Sequence, residues 1–397
     1  MQALTGGTCR KLRQSMSQRS YLDYNATAPL RAEVRAAFAD ALSLYGNPSS
    51  VHEEGRAART AIEAARVKVA NLVGARAENV IFTSGGTEAN ALALAAQAGE
   101  AWHCYLSAVE HPSVLAGGRF YRETTTQIPA TLDGVADLDV LARALEKHRP
   151  GGWRPFVSLM AANNETGAIQ PVAEAAKIVH DARGLLHSDA VQAAGRMPLD
   201  MGAIGADMPS LSAHKMGGPK GVGALVLKEG VSVEPLIKGG GQERRRRAGT
   251  ENVAGIVGFG VAAELAAADL ARADAITTLR DALEAGALAI APDAVVLSGR
   301  VARLPNTTCI AVPGAKAETL VIGLDLAGVA ISSGSACSSG KVEASHVLSA
   351  MGVAPELAQG AIRVSLGFGT TSTDIERFIL AFGELIKRLK QSRKVAA

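Results

Sequence analysis

With 397 residues, of which 48% are hydrophobic and 20% charged, the chain is too long for a single compact core to be the first expectation and too apolar for a disordered one. A formal net charge of +3 gives no reason to expect a nucleic acid or an anionic membrane surface as partner. The four cysteines, Cys9, Cys104, Cys309 and Cys337, are scattered and include no CxxC pair, which argues against a disulfide framework or a metal site and fits a reducing cytoplasm.

Residues 1–19 contain Arg10, Lys11, Arg13 and Arg19 with no acidic residue. They faintly resemble an organellar transit peptide and read as a disordered tail or a misplaced start. From about Arg31, Ala-rich stretches of helical periodicity alternate with short β-branched runs at Val80–Phe82, Phe156–Met160, Leu185–Ser188 and Ala224–Leu227. That alternation predicts an α/β sheet covered by helices, with its ligand crevice at the carboxyl ends of the strands. Val253–Ala263 is the most apolar long stretch; it is short for a membrane span, meets Glu264, and reads as part of a buried helix beginning near Glu251. Past about Ala266 the composition changes, with strand-like runs at Ala294–Leu297 and Thr308–Val312 and a closing helix from about Asp374. The expected organisation is a tail over 1–19, a large domain with a mainly parallel sheet over 28–265, and a smaller α+β domain made of 20–27 and 266–397. No internal repeat is evident.

The residues that follow the predicted strands carry the chemistry. After Val80–Phe82 comes Thr83-Ser84-Gly85-Gly86-Thr87-Glu88-Ala89-Asn90 and then a helical run, so bare N–H groups and the Thr87 hydroxyl would face an anion such as phosphate. The P-loop lysine is missing, and Gly258-Phe259-Gly260 has no strand before it, so a nucleotide is not the expected ligand. Asp189, in His187-Ser188-Asp189-Ala190-Val191-Gln192, ends a buried strand, where a carboxylate needs a cationic partner. Lys215 follows in Ser210-Leu211-Ser212-Ala213-His214-Lys215, and an imine-forming lysine needs desolvation or a cationic neighbour to lose its proton near neutrality. Taken singly, the glycine turn reads equally as a tight connection and Asp189 as a capping residue.

In order and spacing, SGGTEAN, EHPSV, NNETG, HSDAVQ, SLSAHKMGGPKGVGAL, GGGQERRRRAGT, SSGSACSSG and IRVSLG resemble the cysteine desulfurases of the NifS and IscS type, within the class V aminotransferases of fold-type I. The resemblance runs from about Tyr21 to the last helix. It implies pyridoxal 5'-phosphate (PLP) as cofactor, held as an imine on Lys215, with Asp189 at the pyridine nitrogen, Gln192 at the ring hydroxyl and His111 stacked on the ring. Gly86, Thr87, Ser212 and His214 would hold the phosphate, with Thr250 reaching it from the second subunit of a homodimer. Arg363 would clamp the carboxylate of L-cysteine, aided by Asn164 and Asn47. Cys337 would attack the substrate sulfur, carry it as a persulfide and pass it to an acceptor such as an iron–sulfur scaffold, where it could ligate a cluster transiently, or to a thiolation factor. The run around Cys337 consists of Gly and Ser, which cannot pack a core, so an accessible thiol is expected there. Two departures stand out: Met216-Gly217 where the family carries a tyrosine or similar side chain, and the unusually basic Arg244–Arg247, which reads as a solvated or subunit-facing loop. An aminotransferase, a kynureninase-like hydrolase and a selenocysteine lyase would all retain Lys215 and Asp189, and a scaffold that has lost the chemistry is the reading from a different class.

Overall fold

The computed structural model describes residues 19–96, 102–148, 152–333 and 345–396. A two-residue strand, β1 (Ser20–Tyr21), precedes the main sheet. That sheet comprises β2 (Val80–Thr83), β3 (Trp102–Ser107), β4 (Thr125–Ile128), β5 (Arg154–Ser158), β6 (Leu185–Asp189), β7 (Met208–Ser212) and β8 (Gly223–Val226). Their spatial order is β2-β8-β7-β6-β5-β3-β4; β8 runs antiparallel to both its neighbours and all other pairs are parallel. Being antiparallel to β8 on either side, β2 and β7 point the same way, so the carboxyl ends of β2, β3, β5, β6 and β7 share one edge.

Apart from the edge strand β4, these strands are buried along nearly their whole length, as a sheet covered on both faces requires. Several polar residues are sunk completely in that interior, His187 among them. His187 on β6 contacts Ser158 on β5 through Nδ1 at 2.7 Å and Ser210 on β7 through Nε2 at 3.0 Å, stitching three strands together. Burial holds its imidazole down at about 4, so it is neutral there.

Three further strands, β9 (Val295–Leu297), β10 (Thr307–Ala311) and β12 (Ala361–Ser365), form an antiparallel sheet in the order β12-β10-β9, and β11 (Val329–Ala330) pairs in parallel with β1. Leu22, just after β1, belongs to the apolar cluster of this part of the chain with Leu283, Ile310, Leu320, Ile362, Phe378 and Phe382. The runs read from the sequence all reappear as strands within a few residues. β1, β3, β4, β7, β11 and β12 were not among them: β3 mixes His103 and Cys104 into its run, and β7 carries Pro209, which lacks a ladder donor and argues against a central strand.

The Val253–Asp269 helix runs past Glu264 and is followed by another, Ala273–Ile290. Together they are long and apolar enough by length and composition to cross a membrane, yet half of that apolar window is buried inside the protein. Phe259, Ala262, Ala263 and Ala266 face the main core. A Cβ on Gly260 would come within 2.7 Å of Ala65 Cα, so the glycine serves close approach to the Glu53–Leu72 helix.

Glu243 anchors the start of the basic run. Its carboxylate is paired with Arg66 at 2.7 and 2.9 Å, accepts the Phe82 N–H at 2.9 Å, and both side chains are buried. Arg244 and Arg246 donate to the Glu78 carbonyl and Arg247 pairs with Glu88 at 2.9 Å, so only part of the run is solvated. Glu243, Arg244 and Arg245 have φ of 47, 55 and 65°, a left-handed turn that only such anchoring sustains. Glu243→Gln, which leaves the buried Arg66 with only the half-exposed Glu63 as a carboxylate partner, is expected to lower the unfolding free energy by about 3 kcal/mol. Guanidinium titration measures it, and a loss below about 1 kcal/mol would show that Arg66 finds other compensation.

Candidate active site

Five chain segments leave the shared edge of the sheet and enclose one cavity. It is lined by Gly86 and Thr87 after β2, His111 after β3, Asn164 after β5, Asp189 and Gln192 at and after β6, and Ser212, His214 and Lys215 at and after β7. Asn47 is not among them. It is exposed in the turn before the Glu53–Leu72 helix, where it accepts the Ser49 N–H. Thr250 is exposed and lines a different cavity with Arg247 and Glu251. Cys337 lies outside the described residues.

At the mouth of β2 the turn is shaped for close approach. A Cβ on Gly86 would meet Val191 Cγ2 at 2.9 Å and Ser212 Cβ at 3.3 Å, so only glycine brings this helix start against the ends of β6 and β7. Glu88 accepts the Ser84 N–H at 2.8 Å and is anchored by Arg247, which fixes the turn from behind.

Asp189 is 7% exposed. Its Oδ2 accepts from Asn90 at 2.7 Å and its Oδ1 from the Val191 N–H at 3.0 Å, while no cationic side chain pairs with it among the described residues. A buried carboxylate so oriented fits a cationic ring nitrogen. His111 lines the same cavity, with its Nδ1 accepting the Ser113 N–H at 3.2 Å. That contact leaves the proton on Nε2. Burial pushes its imidazole below the ordinary value, with Lys215 and His346 adding to the effect and Asp189 opposing it.

Lys215 lies in a short 3₁₀ turn, Ala213–Met216, directly after β7. Its Nζ donates to the carbonyls of Asn25 at 2.5 Å and Ala26 at 2.9 Å. Burial, then the charges of Arg363 and Arg196, bring its pKa down to about 7, against the pull of Asp189 and Asp23. Free amine is therefore far more accessible near neutrality than on an ordinary lysine. The Met216-Gly217 departure has a local cause: Gly217 has φ of 84° and a Cβ there would meet Arg31 Cγ at 2.7 Å, so no larger side chain fits.

Arg363 is 5% exposed in the middle of β12. Both terminal nitrogens are engaged by the chain, one with the Asn164 carbonyl at 3.0 Å and the other with Asp23 at 2.8 Å. Its Nε, the Asn164 Oδ1 and the Asn90 Oδ1 are buried without a partner. Each such atom costs about 1–3 kcal/mol unless something completes it. The glycine cradle, the unpaired carboxylate, the deprotonating amine and these atoms all fit PLP and an amino acid.

Three site residues were not legible beforehand. Asn25, 1% exposed, ties the N-terminal segment to everything around it: Nδ2 donates to the Asn164 carbonyl and Thr307, Oδ1 accepts from Asn306, and the carbonyl receives both Gln192 and Lys215. Asn90 orients Asp189, and its only sequence signal was a polar residue closing SGGTEAN. Asp23 reaches Arg363 from 340 residues away, a pairing no local pattern contains.

A family profile described as Aminotransferase class-V matches residues 20–378. The chain is 42% identical over 384 residues to "Cysteine desulfurase IscS" of Dictyoglomus turgidum, covering 94% of this chain and 96% of that protein. It is 46% identical to "Cysteine desulfurase" of Cereibacter sphaeroides over 383 residues, covering 94% and 97%. Among solved structures, a NifS-like protein from Rickettsia africae superposes with a TM-score of 0.85 at 36% identity, over 93% of this chain and all of that one. A structure described as SspA in complex with cysteine matches with a TM-score of 0.74 at 28% identity, over 87% and 98%.

Proposed function

Because the chain belongs to the class-V aminotransferase family and is a PLP-dependent cysteine desulfurase, we propose that Lys215 is the amine that carries the cofactor and Cys337 the thiol that receives the sulfur. The observation that carries this reading is the placement of Lys215, buried and with its pKa drawn down by that burial, in one cavity with the unpaired Asp189 carboxylate.

When bound there, PLP supplies an electron sink that makes the Cα–H of the amino acid acidic. Asp189 would hold a positive ring nitrogen, Gln192 would donate to the ring hydroxyl, and His111 would cover the ring with a neutral imidazole. Gly86, Thr87, Ser212 and His214 would bind the phosphate. His214 suits this as a neutral donor: burial, with Lys215, Lys220 and Arg196, keeps it at about 4. The Lys215 amine is placed to take the Cα proton, a role that contributes about 10²–10⁴ in rate. Arg363 would bind the substrate carboxylate through its free Nε edge, with Asn164 beside it.

Cys337 thiolate then attacks the sulfur of L-cysteine. The Cβ–S bond breaks, the S–S bond of a persulfide forms, and the remaining carbon fragment takes up a proton to leave as L-alanine, so that L-cysteine and the enzyme thiol yield L-alanine and the enzyme persulfide. An acceptor protein, an iron–sulfur scaffold or a thiolation factor, would collect the sulfur, in a reducing cytoplasm that keeps the thiol competent. The exposed Thr250, outside its own cavity, supports a homodimer in which it completes the partner's phosphate site.

Incubation of the loaded enzyme with one equivalent of L-cysteine is expected to give one equivalent of L-alanine and an added sulfur on the Cys337 peptide, read by mass spectrometry after alkylation. Sulfur found instead on Cys104 or Cys309, or pyruvate in place of alanine, would overturn the assignment.

A further inference from the structure

Arg196 lies in the turn after β6 and is part of neither the resemblance nor the roles above. Its guanidinium donates to four oxygens: the Gln192 carbonyl at 3.1 Å, the Gln192 side-chain Oε1, the Tyr24 carbonyl at 3.3 Å and the Lys215 carbonyl at 3.2 Å. No carboxylate pairs with it among the described residues. Three chain segments, the N-terminal one, the turn after β6 and the turn after β7, thus meet on a single cation.

Two consequences follow from what a guanidinium is. It only donates, so the carboxamide oxygen of Gln192 must face it, which turns the Gln192 NH₂ toward the Asn25 carbonyl, where it donates at 3.0 Å. The same carbonyl accepts the Lys215 Nζ at 2.5 Å, so Arg196, Gln192, Asn25 and Lys215 form one chain of contacts. It also remains charged at neutral pH, although burial and Arg363 push it down to about 9.

The charged and titratable groups facing Lys215 are Arg363 on β12, Arg196 after β6, Asp189 on β6, Asp23 in the N-terminal segment, and the neutral imidazoles of His111 and His214. Arg363 is already paired with Asp23 at 2.8 Å. That leaves Arg196 as the cation whose charge is not locally compensated. A like charge in a desolvated site disfavours protonation of its neighbour.

We propose that Arg196 is a positioning residue for Lys215: it pins the Lys215 carbonyl and the Gln192 carboxamide, and so brings a cation without a carboxylate partner to the turn that carries the amine. This rests on the reading of Lys215 as the cofactor lysine.

The test is trace acetylation of the full chain freed of PLP, across pH, with Lys215 followed by peptide mass spectrometry and normalised to the exposed Lys220. The wild-type midpoint is expected near 7. Arg196→Lys, which retains a cation, should stay within about half a unit, whereas Arg196→Met should raise the midpoint by about one unit and cut labelling at pH 7 roughly fivefold. On the loaded enzyme the pH at which the visible band changes should rise in Arg196→Met and be restored in Arg196→Lys. A wild-type midpoint at the ordinary lysine value of about 10.4 overturns the proposal without any variant, so it stays testable should Arg196→Met fail to fold. Equal shifts in the Lys and Met variants, or none in Met, overturn it as well. A visible band that survives Lys215→Ala would instead remove the underlying reading of Lys215, an outcome separate from the labelling midpoint.

Discussion

Cys337→Ala is expected to lower sulfide release from L-cysteine, in the presence of dithiothreitol, by roughly a hundredfold or more, which corresponds to about 3 kcal/mol of lost transition-state stabilisation. The described cysteines cannot substitute. Cys104 is fully buried and Cys309 is 1% exposed. Burial, with Glu165 adding to it, pushes the Cys309 thiol up to about 12, and burial, with Glu110, pushes Cys104 well above the usual thiol range. A thiol so held is neither ionised nor reachable, and the nucleophile in sulfur transfer is the thiolate. Cys9→Ser should leave the rate within about twofold, since no role in the chemistry is assigned to that residue. Sulfide release by Cys337→Ala at the wild-type rate would end the desulfurase mechanism as written. Retained turnover on selenocysteine alone would point to the lyase reading, because selenium can leave without a cysteine nucleophile.

The second large effect is at Lys215. Lys215→Ala should remove the visible absorbance band that PLP gives in the wild-type enzyme and lower L-alanine formation by about 10²–10⁴-fold, the range a positioned base contributes. The removed amine is replaceable in principle: small primary amines added to Lys215→Ala should restore part of the rate, more at pH 9 than at pH 7, because a free amine in solution keeps its ordinary high pKa and must lose its proton first. In the wild type that condition is met near neutrality by burial and by Arg363 and Arg196. A Lys215→Ala enzyme with unchanged band and unchanged rate would place the cofactor on another residue.

Several features of the site were readable because they are local. SGGTEAN follows β2 and HSDAVQ closes β6, and a strand end with polar residues is a pattern of a few adjacent positions; SAHKMGG closes β7, a strand not read from the sequence, and was legible from its own glycine-rich lysine frame. The cavity duly brings Gly86, Thr87, Asp189, Gln192, Ser212, His214 and Lys215 together with His111 and Asn164. His111, Arg363, Asn47 and Thr250 were assigned by resemblance alone; Asn47 and Thr250 lie apart from the cavity, and Arg363 is not part of its lining. Arg363 was legible as a clamp, but its engagement by Asp23 and by the Asn164 carbonyl was not.

What the amino-acid sequence determined by itself is therefore the list of reacting groups and the order of segments that present them. The hydrophobic runs set the strands, and the residues just beyond each run are bound to emerge at its carboxyl end. What only the tertiary structure decided is how those groups behave. Lys215 owes its depressed pKa to burial and to two arginines contributed from β12 and from the turn after β6, and its contacts to carbonyls of a segment 189 and 190 residues earlier. Electrostatics and desolvation act through space across a few ångströms, whereas sequence patterns act along the chain, so the identity of the lysine was local information and its reactivity was not.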